Sequence, residues 1–169
     1  MFNVEFYNNL ESVTHFVFAC KSTGEGNFFV LKRTIDVIIA LSKKIPIISS
    51  EWLQYSLHYK KLYPIEDFKA SGIIIDDFCH YFNCVSDISQ LFATKAFFIE
   101  PEDNLFASAA QVKAVIINCG GIVLTGLIRG AYFVKMSKKP IDRKQCPRVI
   151  FWLDLLDRVA LNKLIDWEE

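Results

Sequence analysis

The sequence LKRTIDVIIALSKKIPIISSEWLQYSLHYKKLYPIEDF, residues 31–68, decides the fold because it holds two helices and a strand in succession. Residues 31–41 are too apolar for a single stripe, which predicts a helix covered on two sides. Residues 45–49 are short, apolar and β-branched, as in a strand buried on both faces. Together they indicate a small α/β sandwich. The second helix is expected to bury one face, formed by Trp52, Leu53, Ser56 and Leu57.

Five short motifs in the first half of the chain occur in a characteristic order. They are Val13-Thr14-His15-Phe16-Val17, Arg33-Thr34, Ile45-Pro46-Ile47-Ile48-Ser49, Trp52-Leu53 followed by Ser56, and Phe68. This succession resembles the "THLV" strand, "RT" helix, "P-I-V-S" strand and "W-x-x-S" helix of the BRCT domain family. The chain is similar to the C-terminal BRCT pairs of microcephalin-like and other DNA-damage mediator proteins.

The second half of the chain resembles another BRCT repeat. Residues 92–99 predict a strand, and the helix that follows it ends at the glycine pair 120–121, since glycine suits a helix C-terminus. Residues 122–124 and 131–134 predict two short strands, and residues 148–164 predict a last strand and helix. The resemblance implies an α/β fold of two BRCT-like three-layer sandwiches in tandem, each a small, mostly parallel sheet flanked by helices.

The expected domain organisation follows from this resemblance. Residues 1–69 form the first repeat, which lacks the usual first strand and helix of the family. Residues 70–90 are too apolar for a solvated tether, so we expect a rigid linker packed along the domain junction. Residues 91–169 form the second repeat. Within it, Pro140 predicts a loop or short turn where the family usually has another helix.

Composition limits the possible functions. The chain has 169 residues, of which 52% are hydrophobic, and a formal net charge of zero. The hydrophobic content predicts a packed interior. Because the net charge is zero, no overall electrostatic attraction to nucleic acid or to an anionic membrane is expected. The five cysteines are odd in number and scattered, which indicates a reducing compartment. No membrane span or secretory signal is predicted, and with the resemblance this favours a nuclear protein.

No group of residues has the pattern of a catalytic site. His15, His58 and His80 lack a nucleophile and a carboxylate at a recognisable spacing, so we expect no enzyme activity and no cofactor. Cys79, His80 and Cys84 could be considered as metal ligands, but no second pair follows at zinc spacing. Buried or half-buried thiols are the favoured interpretation.

The family resemblance implies binding of a phosphoserine peptide in the cleft between the two repeats. The phosphate is held by a hydroxyl and a glycine N–H of the first strand, which cannot be assigned here, and by a lysine two residues after the "RT" threonine. Arg33, in the "RT" pair with Thr34, matches the family arginine that contacts the peptide main chain. Lys32 would partly replace the charge of the phosphate-binding lysine. Asp36 stands in the lysine position, and its carboxylate would repel phosphate.

The densest positive charge follows the predicted strand at residues 131–134. A solvated loop is the favoured interpretation, but this segment is also the best candidate for contact with DNA or an acidic partner. The cluster contains Lys135, Lys138, Lys139, Arg143, Lys144 and Arg148, and the contact residues would be Lys138, Lys139, Arg143 and Lys144.

We therefore expect a non-enzymatic protein-interaction module of an adaptor in the DNA-damage response, DNA repair or a cell-cycle checkpoint. Its partner would be a protein carrying phosphoserine. Two alternatives remain open. One is a phosphate-independent scaffold or dimerisation module. The other is a DNA-binding appendage of a DNA repair enzyme, whose affinity would fall steeply with salt.

Overall fold

The computed structural model describes residues 5, 10, 12–82, 87–102, 105–139 and 148–163. The chain divides into two compact units, Met1–Phe82 (unit 1) and Asn83–Glu169 (unit 2). Each unit combines helices with a sheet that contains parallel strand pairs. The predicted fold class, a mixed α/β architecture with mostly parallel sheets flanked by helices, is confirmed.

Unit 1 contains two sheets. A two-stranded parallel sheet pairs β1 with β4, and a four-stranded mixed sheet has the order β2-β3-β5-β6. An isolated antiparallel bridge between Ile48 and Lys69 connects β4 to the residue just before β5. The elements are β1 (Phe16–Phe18), β2 (Cys20–Ser22), β3 (Phe28–Val30), α1 (Ile35–Ser42), β4 (Ile47–Ser49), α2 (Glu51–His58), β5 (Ala70–Ile75) and β6 (Phe78–Tyr81).

Helix α1 begins later than the sequence pattern predicted. Thr34 is its N-cap, with backbone in the extended region and a side-chain oxygen that accepts from the Val37 N–H at 3.3 Å. A threonine oxygen in this position satisfies a donor that the first turn leaves unpaired, so the helix starts at residue 35 and not at Leu31, which is exposed. Six of its eight residues are buried, which is more than one stripe: Ile35, Val37, Ile38, Ile39, Ala40 and Ser42.

Helix α2 packs on a core formed by Phe28, Ile48, Trp52 and Phe68. The prediction that Leu57 belongs to the buried face is wrong, because Leu57 is 69% exposed. Two of the eight residues of α2 are fully buried, Trp52 and Ser56.

Residues 70–81, which we expected to belong to a linker, form β5 and β6 instead. The two strands are antiparallel and are joined by Asp76 and Asp77, both at positive φ (48° and 65°). Two consecutive positive φ values give the tight turn whose twist matches that of the flanking strands. Gly72 is required in β5, because an added Cβ would collide with the backbone oxygen of His80 in β6.

Unit 2 has one four-stranded sheet in the order β10-β9-β7-β8, and all its pairs are parallel. Helix α3 begins with a capping box, in which Ser108 and Gln111 exchange side-chain and backbone hydrogen bonds. It ends before Gly120, whose φ of 82° suits glycine, as predicted. The elements are β7 (Ala96–Ile99), α3 (Ala109–Asn118), β8 (Ile122–Leu124), β9 (Tyr132–Lys135), β10 (Val149–Phe151) and α4 (Trp152–Leu161).

Two further expectations concern the loop after β9 and membrane association. Residues 137–139 form bends, and the rest of the expected loop, residues 140–147, lies outside the described part of the chain. Among the residues that the structure describes, no helix is both long and apolar enough to cross a membrane.

Candidate partner-binding site

The predicted phosphopeptide residues lie together at the start of α1. Lys32 is exposed, while Arg33 and Thr34 are half-buried. The Thr34 N–H donates to the Lys32 carbonyl at 3.0 Å, which folds this short segment against the helix N-terminus. The segment therefore presents two cations immediately before the positive end of the helix dipole.

This helix N-terminus offers several donors to an anion. The Thr34 oxygen accepts from Val37, and its hydroxyl hydrogen can still be donated. The Val37 N–H is satisfied by that cap. The first hydrogen bond within the helix runs from the Ile38 N–H to the Thr34 carbonyl. The N–H groups of Ile35 and Asp36 come before it, so the helix itself provides no acceptor for them. A hydroxyl, backbone N–H groups and the Lys32 ammonium can thus hydrogen-bond one anionic group.

Asp36 works against such a role. It is exposed in the first turn of α1, where a carboxylate interacts favourably with the helix dipole. The same carboxylate places a negative charge next to Lys32 and Arg33 and weakens their attraction for an anion. The sequence places a stabilising group for the helix at the position where the family has a phosphate-binding lysine.

The basic cluster begins with Lys135, the last residue of β9. It is partly neutralised by Glu100 and Glu102, which follow β7. Lys135, of which only 3% is exposed, lies with its Nζ 3.4 Å from Oε1 of Glu100 and 3.1 Å from Oγ of Ser137. Glu100 also accepts from the N–H groups of Met136 (2.8 Å) and Ser137 (2.7 Å) and from the Ser137 hydroxyl (3.0 Å). Lys135 therefore belongs to a structural network and does not face a ligand.

Burial tends to raise the pKa of Glu100, but the hydrogen bonds from Ser137 and Met136 and the charge of Lys135 outweigh it. The pKa of Glu100 is consequently below its ordinary value. The carboxylate stays ionised near neutral pH and keeps the network intact.

The remaining cations of the cluster differ in their surroundings. Lys139 forms an ion pair with Glu102 at 2.6 Å, and this hydrogen bond raises the pKa of Lys139. Arg148 lies over the Tyr132 ring, 5.5 Å from its centroid, and donates to the Gly130 carbonyl. Lys138 is exposed. Arg143 and Lys144, the other two predicted contact residues, lie outside the described residues.

The described histidines and cysteines form no candidate metal site. His15 contacts the Thr14 hydroxyl at 3.0 Å, and His58 packs edge-on against Tyr59. In the described part of the chain, no three His, Cys, Asp or Glu residues are grouped so that they could hold a metal ion. Of the metal ligands considered from the sequence, Cys79 is exposed, and Cys84 lies outside the described residues.

The sequence analysis missed a set of aromatic side chains at the end of α2, which we call the tyrosine surface: Tyr55, Tyr59 and Tyr63. Their ring centroids are 5.8–6.2 Å apart. Tyr55 and Tyr59 are 45% and 57% exposed. The available signal was the recurrence of tyrosine every four residues, interleaved with His58, Lys60 and Lys61.

Comparison with known proteins gives matches among solved structures alone. No protein-family model matches the chain, and no curated protein is significantly similar to it. The S. pombe Rad4 BRCT3,4 structure is 15% identical, with a TM-score of 0.38, and the match covers 72% of this chain and 64% of that one. Yeast Rtt107 is 14% identical with a TM-score of 0.39, covering 82% of this chain and 28% of that one.

Yeast Rtt107 crystallised with Slx4 is also 14% identical, with a TM-score of 0.33, and the match covers 82% of this chain and 30% of that one. The chain thus spans less than two thirds of each of these structures. The likeness concerns the fold alone. The solved structures to which this chain is similar are tandem BRCT proteins, the family that the sequence motifs resemble.

Proposed function

We propose that this chain is a non-enzymatic protein-interaction module, and that unit 1 binds a phosphoserine-containing partner segment at the start of α1. The observation that carries the proposal is the arrangement of Lys32, Arg33 and Thr34 before the helix N-terminus, with N–H and hydroxyl donors in the first turn. Phosphoserine carries close to two negative charges and three acceptor oxygens, which this donor set can hydrogen-bond.

We further propose that the module serves an adaptor in the DNA-damage response or a checkpoint, in the nucleus. The support is the succession of BRCT-like motifs from Val13 to Phe68. A partner protein that carries phosphoserine would then be recruited through unit 1. The exposed position of Lys32 makes its ammonium accessible to such a partner.

The test compares a phosphoserine peptide with its unphosphorylated twin. A library of peptides with a fixed phosphoserine is selected on the intact chain, and the enriched peptide is synthesised in both forms. Fluorescence anisotropy should give an affinity at least about tenfold higher for the phosphorylated form, since a hydrogen bond to a charged group contributes about 1.5–3 kcal/mol. Equal affinities would show that phosphate is not recognised and would favour a phosphate-independent scaffold.

Charge variants locate the site. Lys32→Ala should lower the affinity for the phosphorylated peptide about tenfold, and Asp36→Lys should raise it, because it replaces a repulsive charge by an attractive one. Lys21→Ala removes an exposed cation on β2 and serves as the control. If Lys21→Ala and Lys32→Ala have the same effect, the peptide responds to overall charge and does not bind at α1.

The DNA-binding alternative is less well supported by the basic segment after β9. Of its members, Lys135 is buried against Glu100, and Lys139 is paired with Glu102. A cation that already has an anionic partner neutralises DNA phosphates less effectively, so fewer counterions are released from the DNA. Titration with duplex DNA at two salt concentrations tests this alternative, which requires a steep loss of affinity with salt and on the change Lys138→Ala.

A further inference from the structure

Part of the tyrosine surface is held in place by the residues beneath it. Trp52 Nε1 donates to the Tyr63 carbonyl at 2.9 Å, and the Tyr63 N–H donates to Oγ of Ser56 at 3.3 Å. Tyr55 and Tyr63 also contact the Phe68 ring, with centroids 5.5 and 6.3 Å away. These contacts restrict Tyr55 and Tyr63, so binding would require little ordering of these two side chains.

Exposed apolar side chains flank the tyrosine surface in sequence. Leu57 is 69% exposed and Leu62 is 48% exposed, and His58 packs its ring edge-on against Tyr59 at 4.7 Å. Leu57 lies two positions from Tyr55 in α2 and therefore on another side of the helix, so it does not belong to the tyrosine surface. The three tyrosine rings remain close together and partly exposed, and exposed apolar groups concentrated in this way are typical of protein interaction sites.

The charges in this stretch have one sign. Residues 52–65 contain no aspartate or glutamate, and Lys60 and Lys61 are both exposed. Lys61 Nζ lies 5.6 Å from the centroid of the Tyr63 ring. Among the acidic residues that follow, Glu66 is paired with Lys69 at 3.8 Å. The segment is therefore complementary to an acidic partner.

We infer that the tyrosine surface, with Leu62, Lys60 and Lys61, binds an acidic protein segment that places apolar side chains next to its carboxylates. Tyrosine is enriched at protein interfaces because it combines a large apolar ring with a hydroxyl that remains able to hydrogen-bond. This inference goes beyond the proposed function, since it uses none of the residues at the start of α1.

A protein segment fits these features better than a nucleic acid does. A nucleic acid strand would leave the exposed Leu62 in water, while an apolar side chain of a peptide would cover it. The Tyr63 ring meets Tyr55 at 79° and Tyr59 at 60°, so neighbouring rings occupy part of the space that stacked bases would need. With a net charge of zero, the chain also lacks a global attraction for phosphates.

The experiment is a selection of random peptides displayed on phage against the intact chain. We expect the enriched peptides to place aspartate or glutamate next to leucine, phenylalanine or tryptophan. The strongest binder is then labelled with fluorescein and titrated, together with a twin in which glutamine and asparagine replace the acids. The acidic peptide should bind at least about tenfold better than its neutral twin.

Matched variants assign the binding to this surface. Tyr59→Ala and the double change Lys60→Glu with Lys61→Glu should each weaken binding about tenfold or more, since central aromatic residues dominate interface energies. Lys32→Ala should have no effect, which separates this surface from the start of α1. Tyr59 is 57% exposed, so its truncation should leave the fold intact, and unchanged circular dichroism verifies this.

Several outcomes would overturn the inference. The inference is wrong if the selection enriches no acidic peptide, or if both variants still bind the enriched peptide as tightly as the native chain does. A poly(dT) oligonucleotide is tested in parallel. If it binds more tightly than the peptide, and Tyr59→Ala abolishes this binding, the surface binds single-stranded nucleic acid instead.

Discussion

Replacing Glu100 by alanine should destabilise unit 2 strongly, because it leaves a buried ammonium without its anion. Lys135 is 3% exposed, and the Glu100 side chain is 15% exposed. Breaking a buried ion pair by removing one partner costs about 3–5 kcal/mol. Two backbone donors, the N–H groups of Met136 and Ser137, lose their acceptor in the same change.

The assay is urea denaturation followed by NMR, using amide signals of unit 2 so that the two units are not averaged. Glu100→Gln keeps the shape and one acceptor oxygen but loses the charge, and it should therefore cost less than Glu100→Ala. Glu102→Ala removes the partner of Lys139 and serves as the control. This pair is exposed, so the midpoint should hardly change. The reasoning is refuted if Glu100→Ala shifts the free energy of unfolding by no more than an ordinary surface change, about 0.5 kcal/mol.

The same network predicts how unit 2 responds to acid. Because the folded-state pKa of Glu100 lies below the ordinary value of 4.5, its contribution is fully present above that pH. The contribution decreases as the pH falls below 4.5 and through the lower folded-state pKa. The stability difference between the native chain and Glu100→Gln should therefore shrink in this range. A difference that stays constant between neutral pH and the acid range would contradict this assignment.

Three further predictions concern packing and thiol reactivity. Gly72→Ala should destabilise unit 1 by about 1–3 kcal/mol or more in urea denaturation, because the added Cβ meets the backbone of β6. Trp52→Phe should cost at least about 1 kcal/mol through the lost bond to the Tyr63 carbonyl, and unaltered stability would exclude that role. Native Cys119, whose pKa is raised to about 12 by burial, should resist iodoacetamide while exposed Cys79 reacts, as mass spectrometry would show.

Local sequence signals predicted the presence and burial of α1 and β4, but placed the start of α1 four residues too early. The apolar residues of 35–40 and 47–48 predicted their burial, and Thr34 carried the capping signal that sets the true start of the helix. The hairpin of β5 and β6 was missed for a different reason. Its turn uses Asp76 and Asp77 at positive φ, where glycine or asparagine is common, so the usual turn signal between the two strands is absent.

The candidate sites were less predictable because they depend on distant contacts. Tyr59 is the C-cap of α2, and its N–H still donates to the Tyr55 carbonyl at 3.0 Å, so helical periodicity places it beside Tyr55. Tyr63 lies beyond the helix, and periodicity alone does not bring it there. The segment after α2 folds back against the helix because Trp52 and Ser56 both hydrogen-bond the Tyr63 backbone. Neither hydrogen bond follows from a local sequence pattern. The resemblance motif contained these two residues, but their role became visible only in the structure.

Positive charge in the sequence is a poor guide to binding unless its partners are known. Lys135 and Lys139 belong to the densest basic cluster, yet their anions, Glu100 and Glu102, lie 35 and 37 residues away. Lys60 and Lys61 form a shorter run without an acidic residue between positions 52 and 65. Salt should therefore weaken binding of an acidic peptide through Lys60 and Lys61, while neutralising Lys139 should leave the salt dependence unchanged. The opposite result would mean that the ion pair with Glu102 opens when a partner binds.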